Sequence, residues 1–162
     1  MLSPLLHLDG FFIERLNYQA LPTFNREQPP RETLSVDYSI NKGRENSYML
    51  RLTIELGKGV EDNARCQLHL SIIGFFTIEE EIDERTRVNM LFLNAPSILY
   101  GIARQVVAET TGNGPWGKVF LPTVNFVELA KTKMGKAAGQ KDRPNLAYSV
   151  RDQRQKNKTG TK

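Results

Sequence analysis

Apolar and polar residues alternate at period two in four stretches of the first half of the chain, the mark of strands with one covered face. From Leu6 to Ala20 the covered side reads Leu6, Leu8, Phe12, Leu16, Tyr18 and Ala20. Glu14 interrupts that pattern, and Phe11 and Ile13 make the middle of the strand apolar on both sides. The next three stretches are regular. Leu34, Val36, Tyr38 and Ile40 form one apolar row, Tyr48, Leu50, Leu52, Ile54 and Leu56 a second, and Cys66, Leu68, Leu70, Ile72 and Phe76 a third. The connections NKGREN and GKGVEDN are short and rich in Gly, Asn and Asp, so these three strands are predicted to form an antiparallel meander. LPTFNREQPPRE, between the first and second strands, holds three prolines and the aromatic Phe24. It reads as a crossing loop rather than a hairpin.

After Ile78 the period changes to that of a helix. The acidic run EEEIDE suits a helix N-terminus, where the macrodipole favours negative charge. Val88, Leu91, Phe92 and Ala95 then recur at helical spacing. Pro96 predicts a break or restart after Asn94, with the proline in a new first turn. The continuation SILYGIARQVVAET sets Ile98, Leu99, Ile102 and Val106 on one stripe, and Gly112 is a plausible stop. NGPWGKVFLPTVNF follows, with the only tryptophan, Trp116, in a stretch too broken by Gly and Pro for a regular helix or central strand. Asn125 is placed to cap a short last helix, NFVELAKTKM. The fold predicted is α+β: a four-stranded antiparallel sheet, a long interrupted helix and a short C-terminal helix.

Charge divides the chain in two. Residues 1 to 130 carry 12 Lys/Arg against 16 Asp/Glu, whereas residues 131 to 162 carry 10 against 2. The basic balance of the 162-residue chain thus belongs to its end, and we expect one domain over residues 1–131 followed by a basic, disordered tail over 132–162. A single cysteine, Cys66, rules out an internal disulfide and points to a reducing compartment, with the thiol as a small buried hydrophobe. No apolar run reaches the roughly 20 residues of a membrane span, and MLSPLLHLDG lacks the basic start and apolar core of a signal peptide, so a soluble cytoplasmic protein is expected.

Little in the sequence points to catalysis. His7 and His69 both lie on polar strand faces and neither has metal-ligand spacing. The acidic run lacks the Asp/Asn spacing and glycine of a calcium loop, and GNGPWGK lacks the end of a phosphate-binding loop and follows a helix instead of a strand. No cofactor or metal is expected. Unsatisfied apolar surface is the stronger signal: one-faced strands and a helical stripe must be covered, and the doubly apolar middle of the first strand is an edge liability unless another subunit packs there. Oligomerisation is the economical inference.

GFFTI at 74 to 78, NAPSILYGIARQVV at 94 to 107 and LPTVNF at 121 to 126, behind four alternating strands, resemble the export chaperone family SecB over about residues 5 to 130. The resemblance implies subunits paired into dimers and dimers joined into a tetramer through their helices. Phe11, Ile13, Leu91, Ile98, Leu99, Ile102 and Val106 are then the interface candidates. It also implies an ATP-independent holdase that wraps unfolded polypeptides over long apolar grooves. On that basis Phe24, Trp116, Val119, Phe120, Leu121, Val124, Phe126 and Leu129 are the client-contact candidates. Irregular backbone bearing large side chains suits clients of low sequence specificity, each contact contributing roughly 1 kcal/mol and affinity accumulating along the bound chain. A bland alternative is that these residues only pack the link onto the sheet.

The resemblance departs at the docking face and at the basic tail, which replaces an acidic or neutral end. Family members dock on the translocation motor SecA partly through carboxylates on the sheet face, but Arg15, Gln19 and His69 fall where such carboxylates are typical. Charge reversal at an electrostatic docking site lowers encounter rate and register. A second group of SecB-like proteins serves toxin–antitoxin systems by holding the antitoxin, and the departure fits that group. Nucleic-acid binding through the basic tail is a third reading, weakened because Tyr148 is the only aromatic in the tail.

Overall fold

The computed structural model describes residues 5–59, 63–137 and 147–150, the last group by its backbone. Four long strands come first: β1 (Leu6–Ala20), β2 (Glu32–Lys42), β3 (Ser47–Leu56) and β4 (Cys66–Ile78). They are followed by α1 (Glu84–Asn89), a π-helical turn (Met90–Asn94), α2 (Ala95–Gly112) and α3 (Phe126–Ala137). A short strand, β5 (Ala147–Val150), completes the described chain. The sheet order is β1-β4-β3-β2-β5, every neighbouring pair antiparallel.

The meander of β2, β3 and β4 follows its alternation residue by residue. Leu34, Leu52, Ile54, Leu70, Ile72 and Phe76 all turn to one side and are fully buried. There they pack against Ala95, Leu99, Ala103 and Val107 of α2, which forms the helix side of the sheet. Gly74 makes this close approach possible: a Cβ on it would lie 2.8 Å from Leu99 Cδ2 and 2.9 Å from Phe76 Cε2. The other side of the sheet has no helix over it among the described residues and is called here the open side.

β1 corrects the simple alternation. Its register against β4 shifts between Leu8 and Gly10 and again between Ile13 and Arg15, as an inserted residue does in a β-bulge. Each shift inverts the faces, so Phe11 and Ile13 join Leu6, Leu16 and Tyr18 on the helix side. Phe12, expected there, instead lies opposite Ile73 on the open side, with its ring 6.1 Å from Phe75. Both inserted residues are acids with open-side partners. Thr77 Oγ1 donates to Asp9 Oδ2 at 2.6 Å, while Arg51 and Ser71 Oγ both donate to Glu14. The Arg51 guanidinium and the Ser71 hydroxyl hold the Glu14 carboxyl below its ordinary range.

The restart expected after Asn94 is found there: α2 begins at Ala95 with Pro96 in its first turn, and the chain enters it directly from the π-helical turn. Pro96 has no N–H, so the carbonyl of Phe92, four residues earlier, loses its α-helical donor. Tyr38 of β2 supplies one, its hydroxyl donating to Phe92 O at 2.9 Å. The start of α1 falls in the acidic run, as predicted, and there Asp83 caps it, accepting from Thr86 N at 3.0 Å and Thr86 Oγ1 at 2.6 Å.

The domain boundary expected at residue 131 is passed by α3, which runs to Ala137, and β5 pairs with β2 inside the expected tail. The expected disorder of residues 138–146 and 151–162 lies outside the described residues.

Candidate client-binding surface

The link between α2 and α3 is irregular but fixed. Thr111, buried in the last turn of α2, donates to Val107 O at 2.7 Å and accepts from Val119 N at 2.8 Å. Tyr100 Oη donates to Pro122 O at 2.7 Å. Between these two anchors the chain is extended, so Val119 and Leu121 point inward and Phe120 points out, 64% exposed. Asn125 then caps α3 as expected, accepting from Val127 N at 3.0 Å.

This pinning divides the residues expected to contact a client into a buried and an exposed set. Val119, Leu121, Val124, Phe126 and Leu129 are core residues of the protomer, with Phe126 packed on Tyr100 and Tyr38. Anchored at Thr111 and Tyr100, an alternating strip must bury one of its two rows, and these five are its inner row and the inner face of α3. Their side chains are turned away from solvent. Phe120 is open, while Trp116 and Phe24 are half-buried.

Trp116 and Phe24 belong to one junction. Their rings meet edge to face at 5.5 Å, and the indole Nε1 donates to Leu21 O at 2.9 Å. Arg26 lies 5.1 Å over the indole and donates through Nη2 to Pro115 O at 3.0 Å. A cation over a tryptophan face is attracted by the ring quadrupole. Residues from the crossing loop and from the link, some ninety positions apart, thus form one aromatic surface with a cationic edge.

The junction is held from below by Asn63, a residue no periodicity singles out. Buried in the β3–β4 connection, it accepts from Asn25 N at 2.8 Å and donates through Nδ2 to the carbonyls of Asn25 (3.0 Å), Gln28 (3.1 Å) and Pro29 (3.1 Å). Beside it Glu32, also buried, receives Arg65 Nε at 2.7 Å and Nη2 at 3.0 Å. An uncompensated carboxylate there would be costly, and the two-pronged guanidinium neutralises it. The crossing loop is therefore stapled to the sheet at its middle and at its end.

The residues expected at the subunit interface divide as well. Phe11 (48%), Ile13 (43%) and Ile98 (39%) are exposed on the helix side, and Ile102 and Val106 are half-buried. Leu91 and Leu99 are buried inside the protomer: Leu99 lies over Gly74 and Leu91 packs with Tyr48 and Ile78. A helix facing a sheet must turn some of its apolar stripe inward, and these two occupy that side.

On the open side, Arg15 and Gln19 are exposed on β1, and His69 is half-buried on β4 with Nδ1 3.5 Å from Glu55 Oε1. Gln19 and His69 line an open cleft of about 580 Å³ with Glu55, Lys58 and Gln67. Two carboxylates of this face are engaged by cations, Glu14 by Arg51 and Glu55 by Lys58, while Asp9 accepts from the Thr77 hydroxyl. Among the described residues no cluster of His, Cys, Asp and Glu is arranged to hold a metal ion, and no helix is long and apolar enough to cross a membrane.

A one-sided antiparallel sheet crossed by a single interrupted helix and closed by a short one defines the class: an α+β sheet-and-helix fold. The family model described as preprotein translocase subunit SecB matches residues 9–137. The chain belongs to the SecB family, whose members are chaperones and not enzymes. Among its relatives, the protein-export protein SecB of Bartonella bacilliformis is 23% identical over 119 residues, covering 74% of this chain and 73% of the relative. That of Idiomarina loihiensis is 29% identical over 119 residues, covering 72% and 70%. A solved structure with the same fold is the Mycobacterium tuberculosis SecB-like chaperone Rv1957, in complex with a ChAD peptide from the HigA1 antitoxin Rv1956. It has a TM-score of 0.55, 12% identity, and covers 74% of this chain and 91% of that one.

Proposed function

We propose that this chaperone is an ATP-independent holdase whose clients bind the aromatic junction of Phe24, Trp116 and Arg26 together with Phe120. The observation that carries the reading is that an exposed ring and a half-buried aromatic pair sit on two segments without regular structure, each pinned from beneath. A preorganised apolar surface loses little freedom on binding, so weak contacts along an extended client can add. The inner-row residues Val119, Leu121, Val124, Phe126 and Leu129 support that surface rather than touch the client. We further propose that Phe11, Ile13 and Ile98, with Ile102 and Val106, are covered by other copies of the chain in a dimer or tetramer. Their grouping on the helix side supports this.

The test is suppression of aggregation of a chemically unfolded protein without nucleotide. Phe120→Ser removes a ring outside the core; losing about 1 kcal/mol would weaken client binding about fivefold, with melting and assembly unchanged. Undiminished protection by this variant and by Trp116→Ser would refute the surface, and a monomeric protein without any protection would refute the holdase.

A second reading is a chaperone dedicated to an antitoxin. Arg15, Gln19 and His69 on the open side, with Glu14 and Glu55 already engaged, support weak binding to SecA, and the antitoxin peptide bound by the Mycobacterium tuberculosis neighbour is consistent with it. A pull-down recovering one antitoxin favours this reading. Recovery of many export precursors, or micromolar binding of SecA to the sheet face, favours general export.

A further inference from the structure

The edge of β2 carries an occupant from outside residues 9–137, the stretch that matches the family model. Residues Ala147–Val150, reached from the end of α3 through the basic segment 138–146, lie antiparallel on it, with Glu32 opposite Val150, Thr33 opposite Ser149, Leu34 opposite Tyr148 and Ser35 opposite Ala147. We propose that the β2 edge is a strand-acceptor site for extended client segments, and that β5 is a tethered occupant which a client must displace. The proposal rests on the holdase reading above.

Position is the first argument. Glu32 begins β2 where the crossing loop ends, and Arg31 N donates to Asn63 O at 2.9 Å at that corner. The paired stretch, Glu32–Ser35, is therefore the part of the edge nearest the loop that carries Phe24 and Arg26. An extended chain lying on the aromatic junction and continuing past this corner meets the edge in strand conformation. Main-chain bonds at a sheet edge give affinity with little regard to sequence, as a promiscuous chaperone needs.

Length is the second. β5 is four residues long and has a strand on one side only, among the described residues, so it lacks the support that makes short strands stable. Its sequence, Ala-Tyr-Ser-Val, mixes small, aromatic and branched residues, the kind of segment an aggregation-prone client presents. Tethering makes a weak strand an effective competitor, because it acts at a high local concentration. Cis pairing that holds the edge nine-tenths of the time would lower apparent client affinity about tenfold.

Register supplies the test. Thr33 O accepts from Gly57 N at 2.9 Å on the β3 side, so by alternation Leu34 turns its own N–H and C=O toward β5. Tyr148→Pro in the full chain removes the N–H opposite Leu34 and releases the strand. By the same alternation the Thr33 and Ser149 backbones face each other without bonding one another, and a cysteine pair at these positions can lock the strand. Cys66 does not compete: it is buried, and burial with the nearby Glu32 charge pushes its thiol up to about 11.

Hydrogen exchange, which needs no client, reads the pairing. The Leu34 amide is expected to exchange at least tenfold faster in Tyr148→Pro than in the native chain, and equal rates would overturn the proposal whatever the protein binds. Binding of a reduced, carboxymethylated protein that cannot refold reads the gating. Expected are about tenfold tighter binding by Tyr148→Pro and about tenfold weaker binding by the oxidised Thr33→Cys/Ser149→Cys chain, reversed by reductant. Equal affinity in all three overturns the gating. If none binds while the exchange rates differ, the holdase reading fails together with the gating, and β5 is a structural strand alone.

Discussion

Asn63→Ala removes one accepted and three shared donated hydrogen bonds between the β3–β4 connection and the crossing loop. A net value near 1 kcal/mol per bond, with two amide hydrogens serving three carbonyls, sets the loss at about 2–3 kcal/mol. The exposed loop lets some freed carbonyls find water, which keeps the figure below that of a sealed core. For a chain of this size the shift in melting temperature is about 5–10 °C. The effect should also reach the aromatic junction, because Asn25, held through both its N–H and its C=O, stands between Phe24 and Arg26, the two residues against Trp116. Trp116 is the only tryptophan, so its emission reports the junction directly. The assays are urea unfolding at fixed protein concentration, since assembly adds apparent stability, and native-state fluorescence. Asn63→Asp sharpens the test: it keeps the acceptor for Asn25 N but faces three carbonyls without a donor, so it should destabilise at least as much as Ala. A loss below 0.5 kcal/mol with unshifted emission, or an Asp variant more stable than the Ala variant, would refute the clamp.

Two further outcomes test the packing. Gly74→Ala should cost about 1–3 kcal/mol, because its Cβ meets Leu99 Cδ2 at 2.8 Å, whereas Gly10→Ala in β1, with nothing within 4 Å, should stay within about 0.5 kcal/mol; equal effects in thermal melts would contradict the α2–β4 contact. Tyr38→Phe should cost about 1–2 kcal/mol by leaving Phe92 O without its donor. Burial, with Asp37 nearby, pushes the Tyr38 hydroxyl up to about 12, so the folded chain keeps a proton that the unfolded chain releases near pH 10. Tyr38 then makes stability fall as pH rises above that value, and the fall should be shallower in Tyr38→Phe. An identical slope in both chains would exclude Tyr38 as its source.

Much of this architecture is written in local pattern. The regular alternation in β2, β3 and β4 names the buried row because a one-residue slip would turn every apolar side chain to water. Asp83 and Asn125 announce their helices because short polar side chains satisfy open backbone N–H groups at helix starts. The signature segments GFFTI and LPTVNF carry the family for a related reason, since Gly74 is where α2 can approach the sheet.

What local pattern misreads is wherever a distant partner sets the outcome. Glu14 looks like an interruption of β1 and Asp9 like an ordinary polar residue, and only pairing with β4 makes both of them bulges that send Phe12 to the open side. Pro96 announces a restart, but not that the Tyr38 hydroxyl, 54 positions away from Phe92 in sequence, supplies the donor the proline lacks. The exposed and buried rows of the link cannot be told apart until Thr111 and Tyr100 anchor it, so five of the eight expected contact residues prove to be core. Asn63 is invisible in a sequence because its value lies in three carbonyls of another loop. By itself the sequence determined the four long strands, the caps, the helix stripe and the family, all of which depend on residues close along the chain. The tertiary structure alone decided which aromatic groups reach the surface and what holds them there, because those properties belong to contacts between segments that the chain brings together only on folding.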